Sequence, residues 1–232
     1  MSKEVGIHLP FIAPDEIVGE SKFRTVQGYI ETKLVVKTRK AYRPRVFDSV
    51  ASATSALDKE RRERETLITL GREMGVSDAF ITSSEFVVHA NPSGHITYSE
   101  FQEWFKGGKT LSKVGSNIWN LPDQTLEELD RILQLNIRVW KEQGTSFDIV
   151  GSTNNTYSAL MELARRLLPL FFSENILIDD HNNVRVIDHR INKPKSGFRS
   201  VKDKVRTGSE IVGSLLSSAI IQAIRIKRKV EQ

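Results

Sequence analysis

The chain contains no cysteine, which excludes disulfide bonds, thiolate catalysis and cysteine-ligated zinc. No apolar run of signal-peptide length follows Met1, and no uninterrupted apolar run approaches the length that crosses a bilayer. Internal repeats and low-complexity linkers are also missing from the sequence. These absences predict a folded cytoplasmic protein without a transmembrane segment.

Strong charge of one sign is missing as well. The 232 residues include 34 Lys and Arg against 29 Asp and Glu, a net charge of +5. The basic residues alternate with acidic ones and lack clustered aromatic neighbours, so nucleic acid is not an expected partner. Apolar residues make up 39% of the chain, which is enough for a sizeable core.

The order of the periodic patterns predicts strands first and helices later. Residues 17–37 and 80–101 have the composition of strand pairs, the second pair around a turn at 91–94. Helical spacing of apolar residues then covers 55–74, 125–144, 157–168 and a last segment from about 209. Gly75 is placed to end the first of these helices.

The helix predicted from 125 to 144 carries the clearest local signals. Thr125 and Glu128 match the capping-box pattern, which places the start of the helix at Thr125. Leu133 and Trp140 lie on one apolar stripe and are expected to face the core.

The most informative stretch runs from Asn175 to Asp188. Val184 and Val186 are β-branched strand residues, and the polar residues that precede them are typical of a turn. The pattern predicts a hairpin whose ends bring Asn175 and Asp188 together over one cation.

The ends of this hairpin resemble the catalytic-loop Asn and the metal-binding Asp of protein kinases and their relatives. The separation of 13 residues (188 − 175) is the usual one in that family. The resemblance implies an α+β, two-lobed protein-kinase-like fold of minimal or divergent type. Its strand-rich N-lobe would comprise residues 1–103, its truncated helical C-lobe residues 104–232, and its active site would lie between the lobes.

Two segments near the N-terminus resemble the nucleotide-binding strands of the family. The segment from Val18 to Val26 is similar to the glycine-rich loop over the ATP phosphates, with Gly19 retained but Ser21 and Arg24 in place of two glycines. Lys37 is identified with the strand lysine that contacts the phosphates. Gly19, Ser21, Val26 and Lys37 are therefore expected to bind the nucleotide.

Two further positions complete the nucleotide site that the resemblance implies. Glu65 is placed as the helix carboxylate that pairs with the strand lysine, with Glu60 and Glu63 as alternatives. Glu103 and Phe105 resemble the hinge that hydrogen-bonds the adenine edge.

The position of the catalytic base has two readings. Five residues before Asn175, where the family has its Asp, this chain has Leu170, so the base would be missing. The other reading places the base at Asp148 and treats the helix at 157–168 as an insertion, which makes Asn154 a rival of Asn175 as metal ligand.

These residues together predict an enzyme, an ATP-dependent phosphotransferase that uses Mg²⁺ or Mn²⁺. The acceptor would be a protein Ser or Thr hydroxyl, with a small-molecule hydroxyl as the alternative. A pseudokinase that binds a nucleotide or a partner without turnover is the rival, because His189 and Arg190 replace the usual Phe-Gly after Asp188.

The last apolar stretch is Ile211 to Ile226, which three basic residues follow. It predicts an amphipathic terminal helix docked on the core, and a membrane-surface anchor is the alternative. His181 and His189 flank the hairpin and are interpreted as polar turn residues, since no third metal ligand stands at a suitable spacing.

Overall fold

The computed structural model describes residues 16–20, 24–29, 33–39, 47–77, 80–90, 94–151, 159–188, 191–192 and 199–231. Helices and antiparallel strands make up the described chain, which confirms the α+β class. The chain divides into two compact units. The first unit contains residues 1–62 and 82–106, and the second contains residues 63–81 and 107–232.

The first unit is built on one antiparallel sheet of five strands in the order β1-β2-β3-β5-β4. The strands are β1 (Glu16–Glu20), β2 (Arg24–Tyr29), β3 (Leu34–Arg39), β4 (Ser84–Ala90) and β5 (Ile96–Glu103). The strand pairs predicted at 17–37 and 80–101 are thereby confirmed. Of the predicted turn, residues 91–93 lie outside the described residues.

Helix α1 (Val50–Glu73) begins before the predicted residue 55. The side chain of Ser49 explains the earlier start, because its hydroxyl accepts a hydrogen bond from the Ser52 N–H at 3.1 Å. The helix ends before Gly75, which has a φ of 69°, as predicted. Within the first unit, the hydroxyl of Tyr98 donates to the carboxylate of Glu60 on α1 at 2.6 Å.

The second unit is mainly helical. Its helices are α2 (Leu111–Val114), a 3₁₀ helix (Gly115–Asn120), α3 (Asp123–Gln143), α4 (Ala159–Leu167), α5 (Pro169–Phe172) and α6 (Arg199–Val230). Its strands form two small sheets, ordered β6-β8-β9 and β10-β7. They are β6 (Lys109–Thr110), β7 (Ser146–Phe147), β8 (Ile176–Ile178), β9 (Val184–Val186) and β10 (Ile191–Asn192).

The division between the units differs from the predicted boundary at 103/104. The first unit extends to Lys106, and residues 63–81 belong to the second unit. Packing gives the reason, because Leu67, Phe80 and Ile81 are buried in one cluster with the core residues of α3.

The start of α3 corrects the capping-box prediction. The helix begins at Asp123 after Pro122, so that Thr125 and Glu128 lie inside it. The Thr125 hydroxyl donates to the carbonyl oxygen of Asn182 at 2.8 Å, and the Glu128 carboxylate accepts from the Val184 N–H at 3.2 Å. The two side chains therefore contact the turn before β9 and the first residue of β9, and not the end of their own helix.

The far end of α3 confirms one prediction and corrects another. Gly144 ends the helix in the left-handed region, and its N–H donates to the carbonyl oxygen of Trp140 at 2.8 Å. Leu133 is buried as predicted, whereas the side chain of Trp140 is 43% exposed. The last turn of α3 extends beyond the core, which leaves Trp140 at the surface.

Helix α6 docks on the second unit, as the prediction of an amphipathic terminal helix required. It begins at Arg199, well before the predicted residue 209. Asn136 on α3 donates to the hydroxyl of Ser214 at 3.1 Å, and Gln134 donates to that of Ser218 at 2.8 Å. A Cβ atom added to Gly213 would lie 1.9 Å from a carbonyl oxygen of α4, so this close helix contact requires glycine.

Candidate active site

The predicted hairpin is present and is formed by β8 and β9. Ile176 pairs with Val186, and one position further the N–H of Ile187 donates to the carbonyl oxygen of Asn175 at 2.9 Å. Asp188 follows at once along the chain. The hairpin therefore places Asn175 beside the residue that precedes Asp188, at the same end of the two strands.

A carboxylate organises the turn between these strands. Asp179 accepts hydrogen bonds from the backbone N–H groups of His181 at 2.9 Å and Asn183 at 2.8 Å, and from the side chain of Asn183. Burial raises the pKa of Asp179, but the hydrogen bonds from Asn183 and His181 outweigh it and hold this pKa below its usual value. Asp179 is thus a structural acceptor that fixes the turn.

Asn175 contacts Asp148, the residue proposed as the base. The side-chain amide of Asn175 donates to the carbonyl oxygen of Asp148 at 2.6 Å, across a separation of 27 positions. The Asp148 carboxylate accepts from the Gly151 N–H at 3.0 Å. Both side chains are buried, with Asp148 only 6% exposed. Two residues that the sequence analysis selected separately therefore share one site.

The chain between these residues leaves the site and returns to it. The N–H of Glu174 donates to the carbonyl oxygen of Val150 at 2.9 Å, so both sides of the predicted insertion are hydrogen-bonded to each other. Helices α4 and α5 lie within the excursion. Leu170, the position without a base, is buried in the core of the second unit. Asn154, the rival ligand, lies outside the described residues.

Two further residues, Ser173 and Gly151, shape the chain next to Asp148 and Asn175, and neither was predicted from the sequence. The hydroxyl of Ser173 donates to the carbonyl oxygen of Ile149 and accepts from the backbone N–H of Ile176 at 3.0 Å. Gly151 has a φ of 79°, and an added Cβ would lie 2.7 Å from the side-chain oxygen of Asn175. A serine and a glycine near polar residues are common in loops, so the sequence gives no specific signal for either.

Two charged residues of α6 reach the same site. Arg206 donates to the second carboxylate oxygen of Asp148 at 3.0 Å and to the carboxylate of Glu210 at 3.1 Å. Glu210 is almost fully buried, and it also accepts from the hydroxyl of Ser146 at 2.7 Å and from Arg166. The spacing of Arg206 and Glu210, four residues apart on one helix, is the only sequence signal for this pair.

The charges in this cluster influence one another. Burial raises the pKa of Glu210, and the negative charge of Asp148 adds to this effect, while Arg206, Ser146 and Arg166 oppose it. Burial lowers the pKa of Arg206, but the carboxylates of Asp148 and Glu210 outweigh it and keep the guanidinium charged. The cluster therefore holds a permanent cation against the Asp148 carboxylate.

The first unit contains the predicted phosphate-binding lysine. Lys37 on β3 is 9% exposed and stands opposite Glu100 on β5 and Val26 on β2. Residues in such register point to the same face of the sheet, with Cβ atoms about 5 Å apart. Glu100 is buried and accepts from Ser84 at 2.9 Å. A lysine in this environment differs from the usual solvated lysine at a strand end.

The remaining predicted nucleotide contacts have varied environments. The side chain of Glu65 is exposed on α1, and Glu60 is the carboxylate that Tyr98 contacts. Glu103 is exposed at the end of β5, and Phe105 is half-buried after it. Gly19 lies in β1 opposite Val26, at an irregularity in the strand register, whereas Ser21 lies outside the described residues.

No protein-family model matches the chain, and no curated protein matches its sequence. The second unit combines a buried carboxylate, a neighbouring amide and a hairpin that ends in Asp188, which suits proton transfer and divalent-cation binding.

Proposed function

We propose that this chain is an ATP-dependent phosphotransferase whose acceptor is a hydroxyl group, with protein Ser or Thr as the first acceptor class to test. The hydrogen bond from the Asn175 amide to the Asp148 carbonyl carries the proposal. It supports the reading in which base and metal ligand are neighbours despite the helical excursion between them.

The donor groups at the hairpin end fit a hard divalent cation. The side-chain oxygen of Asn175 and the carboxylate of Asp188 are the oxygen donors that Mg²⁺ and Mn²⁺ prefer. The contact of the Asn175 nitrogen with Asp148 fixes the amide, so its oxygen is turned toward Gly151. A cation held by these oxygens would neutralise charge on the transferring phosphoryl group.

The other residues have distinct proposed roles. Asp148 would accept the proton of the acceptor hydroxyl, since it is the buried carboxylate beside the metal ligand. Arg206 would act as a positioning residue, because its guanidinium holds the Asp148 carboxylate in place. In the first unit, Lys37 would bind nucleotide phosphates, and the backbone from Glu103 to Phe105 would contact the adenine.

A nucleotide-binding protein without turnover is the second candidate. One observation favours it: both carboxylate oxygens of Asp148 already accept hydrogen bonds, one from Gly151 and one from Arg206. A base has to release such a partner, or share it, when the acceptor hydroxyl arrives. In this case the chain would bind MgATP and transfer nothing.

The deciding experiment is transfer of labelled γ-phosphate from MgATP to the protein itself, to a general protein acceptor and to a panel of small hydroxyl compounds. Asp148→Asn and Asp188→Asn are compared with wild type. Asp180→Asn is the matched control, because Asp180 is an exposed carboxylate in the turn of the same hairpin. Thermal unfolding with and without MgATP measures nucleotide binding for each protein.

We expect wild type and Asp180→Asn to transfer phosphate, and both site variants to lose at least about 100-fold in rate, since general-base catalysis alone contributes this much. MgATP binding without transfer by wild type would favour the second candidate. If the folded wild type neither binds MgATP nor transfers phosphate, the phosphotransferase proposal is refuted.

A further inference from the structure

Helix α6 exposes large apolar residues although it also buries polar ones. Its buried side carries Ile211, Ile221 and Ile224 together with hydroxyl and carboxylate groups, namely Thr207, Ser209, Glu210, Ser214, Ser217 and Ser218. Its exposed side carries large apolar residues, namely Val205, Val212, Leu215, Leu216, Ile226 and Val230. An amphipathic helix on the surface of a protein in water exposes a polar face, whereas the outer face of α6 is apolar and calls for a separate explanation.

The exposed side chains form one continuous surface. With 3.6 residues per turn, the six large apolar residues together with Ala219 and Ala223 fall within an arc of about 100°. Every exposed residue from Val205 to Ile226 is uncharged. We call this surface the apolar stripe. It extends from Val205 to Val230, about 38 Å at 1.5 Å per residue.

Positive charges stand at both ends of the apolar stripe. Lys204 is exposed at one end, and Lys227 and Lys229 are exposed at the other. The arginines nearby are held in ion pairs, Arg225 with Glu127 and Arg228 with Asp123. Lys227 lies 3.7 Å from Glu231, with both side chains largely in solvent, so the three lysines and Glu231 are the charges that a partner of the stripe would meet.

This charge pattern selects among possible partners. A second copy of the chain, laid along the stripe in either direction, would bring lysines against lysines at both ends. A protein groove is a poor match too, because the stripe contains no aromatic anchor and Gln222 is its one exposed side chain that can form hydrogen bonds. An anionic lipid surface matches both the apolar side chains and the positive ends.

We propose that the apolar stripe lies on an anionic membrane surface, with α6 parallel to the membrane plane and its terminal lysines among the lipid headgroups. Helices that contact lipid typically place small and polar residues against the protein and apolar residues outside, as α6 does with Gly213, Ser214 and Ser217. The inner hydroxyls have partners within the protein, since Ser218 donates to Asp130 and Ser214 to the carbonyl oxygen of Glu210.

The contacts of α6 with the rest of the second unit indicate whether the helix lies on a membrane or crosses it. From Lys204 to Val230, α6 is long and apolar enough to cross a bilayer by length and composition, yet half of its apolar window is buried inside the protein. Crossing would separate the buried Glu210 from Arg166 and the half-buried Arg206 from Asp148, at a high cost. A helix that lies flat keeps every one of these contacts.

The test is flotation of the full-length protein with vesicles of phosphatidylcholine, either alone or with one quarter phosphatidylglycerol. Val212→Ser and Leu216→Ser remove apolar groups from the stripe. Val50→Ser is the matched control, because Val50 is a similarly exposed valine on α1. A triple variant, Lys204→Gln with Lys227→Gln and Lys229→Gln, removes the charges. Circular dichroism and thermal unfolding establish that each variant is folded.

We expect wild type and Val50→Ser to float with the anionic vesicles, and each stripe variant to bind several-fold more weakly. The triple lysine variant should lose the preference for anionic vesicles and the dependence on salt. No binding by wild type, or equal loss in Val50→Ser, would overturn the proposal. A stable dimer that Val212→Ser dissociates, without vesicle binding, would instead assign the stripe to a second copy.

Discussion

At the scale of single residues, Asp148 is held from three directions. Gly151 and Arg206 each donate to one carboxylate oxygen, and Asn175 donates to the carbonyl oxygen. A buried carboxylate with this set of partners has one orientation before any substrate arrives. Such preorganisation is what positioned proton transfer requires.

The pairing of Arg206 with Asp148 predicts energetic coupling. Arg206→Ala should lower the free energy of unfolding by about 1–3 kcal/mol, because it leaves the Asp148 carboxylate without its cation and removes one of the two arginines that pair with Glu210. A double-mutant cycle with Asp148→Ala, measured by urea unfolding, should give a coupling of about 1–2 kcal/mol. Arg225→Ala, which breaks a more exposed ion pair with Glu127, should cost less than about 1 kcal/mol. Additive effects of Arg206→Ala and Asp148→Ala would contradict the pairing.

Alanine variants at two glycines distinguish the cost of backbone strain from the cost of steric overlap. Gly151 and Gly144 both have a positive φ, but only a Cβ on Gly151 meets a neighbour, at 2.7 Å from Asn175. Gly144→Ala should therefore cost about 1 kcal/mol from backbone strain alone. Gly151→Ala should cost clearly more and should displace Asn175 from Asp148. Thermal unfolding measures the loss of stability in both variants. Equal losses would show that the Asn175 side chain moves aside without a cost in free energy.

At the scale of elements, the hairpin of β8 and β9 is held by α3. Thr125 and Glu128 contact the turn before β9, although in the sequence they form a convincing capping box. The sequence predicted the hairpin itself, because strand and turn propensities are local. It could not predict which partner Thr125 takes, because that partner, Asn182, is distant in sequence and is chosen by tertiary packing.

The carboxylate of Asp179 makes the hairpin sensitive to acid. The folded state lowers the pKa of Asp179 below its usual 3.8, so its hydrogen bonds stabilise the protein above that pH and are lost as the pH falls through the folded pKa. Urea unfolding of wild type and Asp179→Asn should show a stability difference that shrinks from about pH 5 downward. Asp180→Asn is the exposed control and should follow wild type throughout. A constant difference for Asp179→Asn would contradict this assignment.

At the scale of the whole molecule, neither unit is a continuous stretch of chain. Residues 63–81 precede 82–106 in sequence but belong to the second unit. Helix α1 contributes Leu57 to the first unit and Leu67 to the core of the second. A sequence boundary drawn at one position, such as 103/104, cannot reproduce this arrangement. Residues that are distant in sequence bury the turns of α1, and this burial decides to which of the two units each turn belongs.

This organisation predicts how fragments of the chain behave. A fragment of residues 107–232 lacks Leu67, Phe80 and Ile81, which complete the core of the second unit, and it should not unfold cooperatively. A fragment of residues 63–232 retains them and should show a cooperative transition in urea, followed by circular dichroism. A cooperative transition of equal midpoint in both fragments would show that residues 63–81 contribute nothing to this core.

Predictions from the sequence agree best with the structure for features that depend on a single strand or helix. The strand that carries Lys37 and the hairpin around Asn175 follow from patterns within short segments. Arg206 and Glu210 were missed because their roles depend on how α6 docks, and nothing near them in sequence specifies that. Asp148 and Asn175 were selected on separate grounds, and only the fold shows that their backbone and side chain are hydrogen-bonded.

The backbone hydrogen bond between Glu174 and Val150 joins the two ends of the segment that contains α4 and α5. The two ends of the segment meet at one point, so its contour length does not set the distance between Asp148 and Asn175. A segment of different length would leave the contact between Asp148 and Asn175 intact, as long as Gly151 and Ser173 preserved the hydrogen bond between Glu174 and Val150. A pattern search with a fixed gap between the two residues would then miss any chain in which this segment has another length.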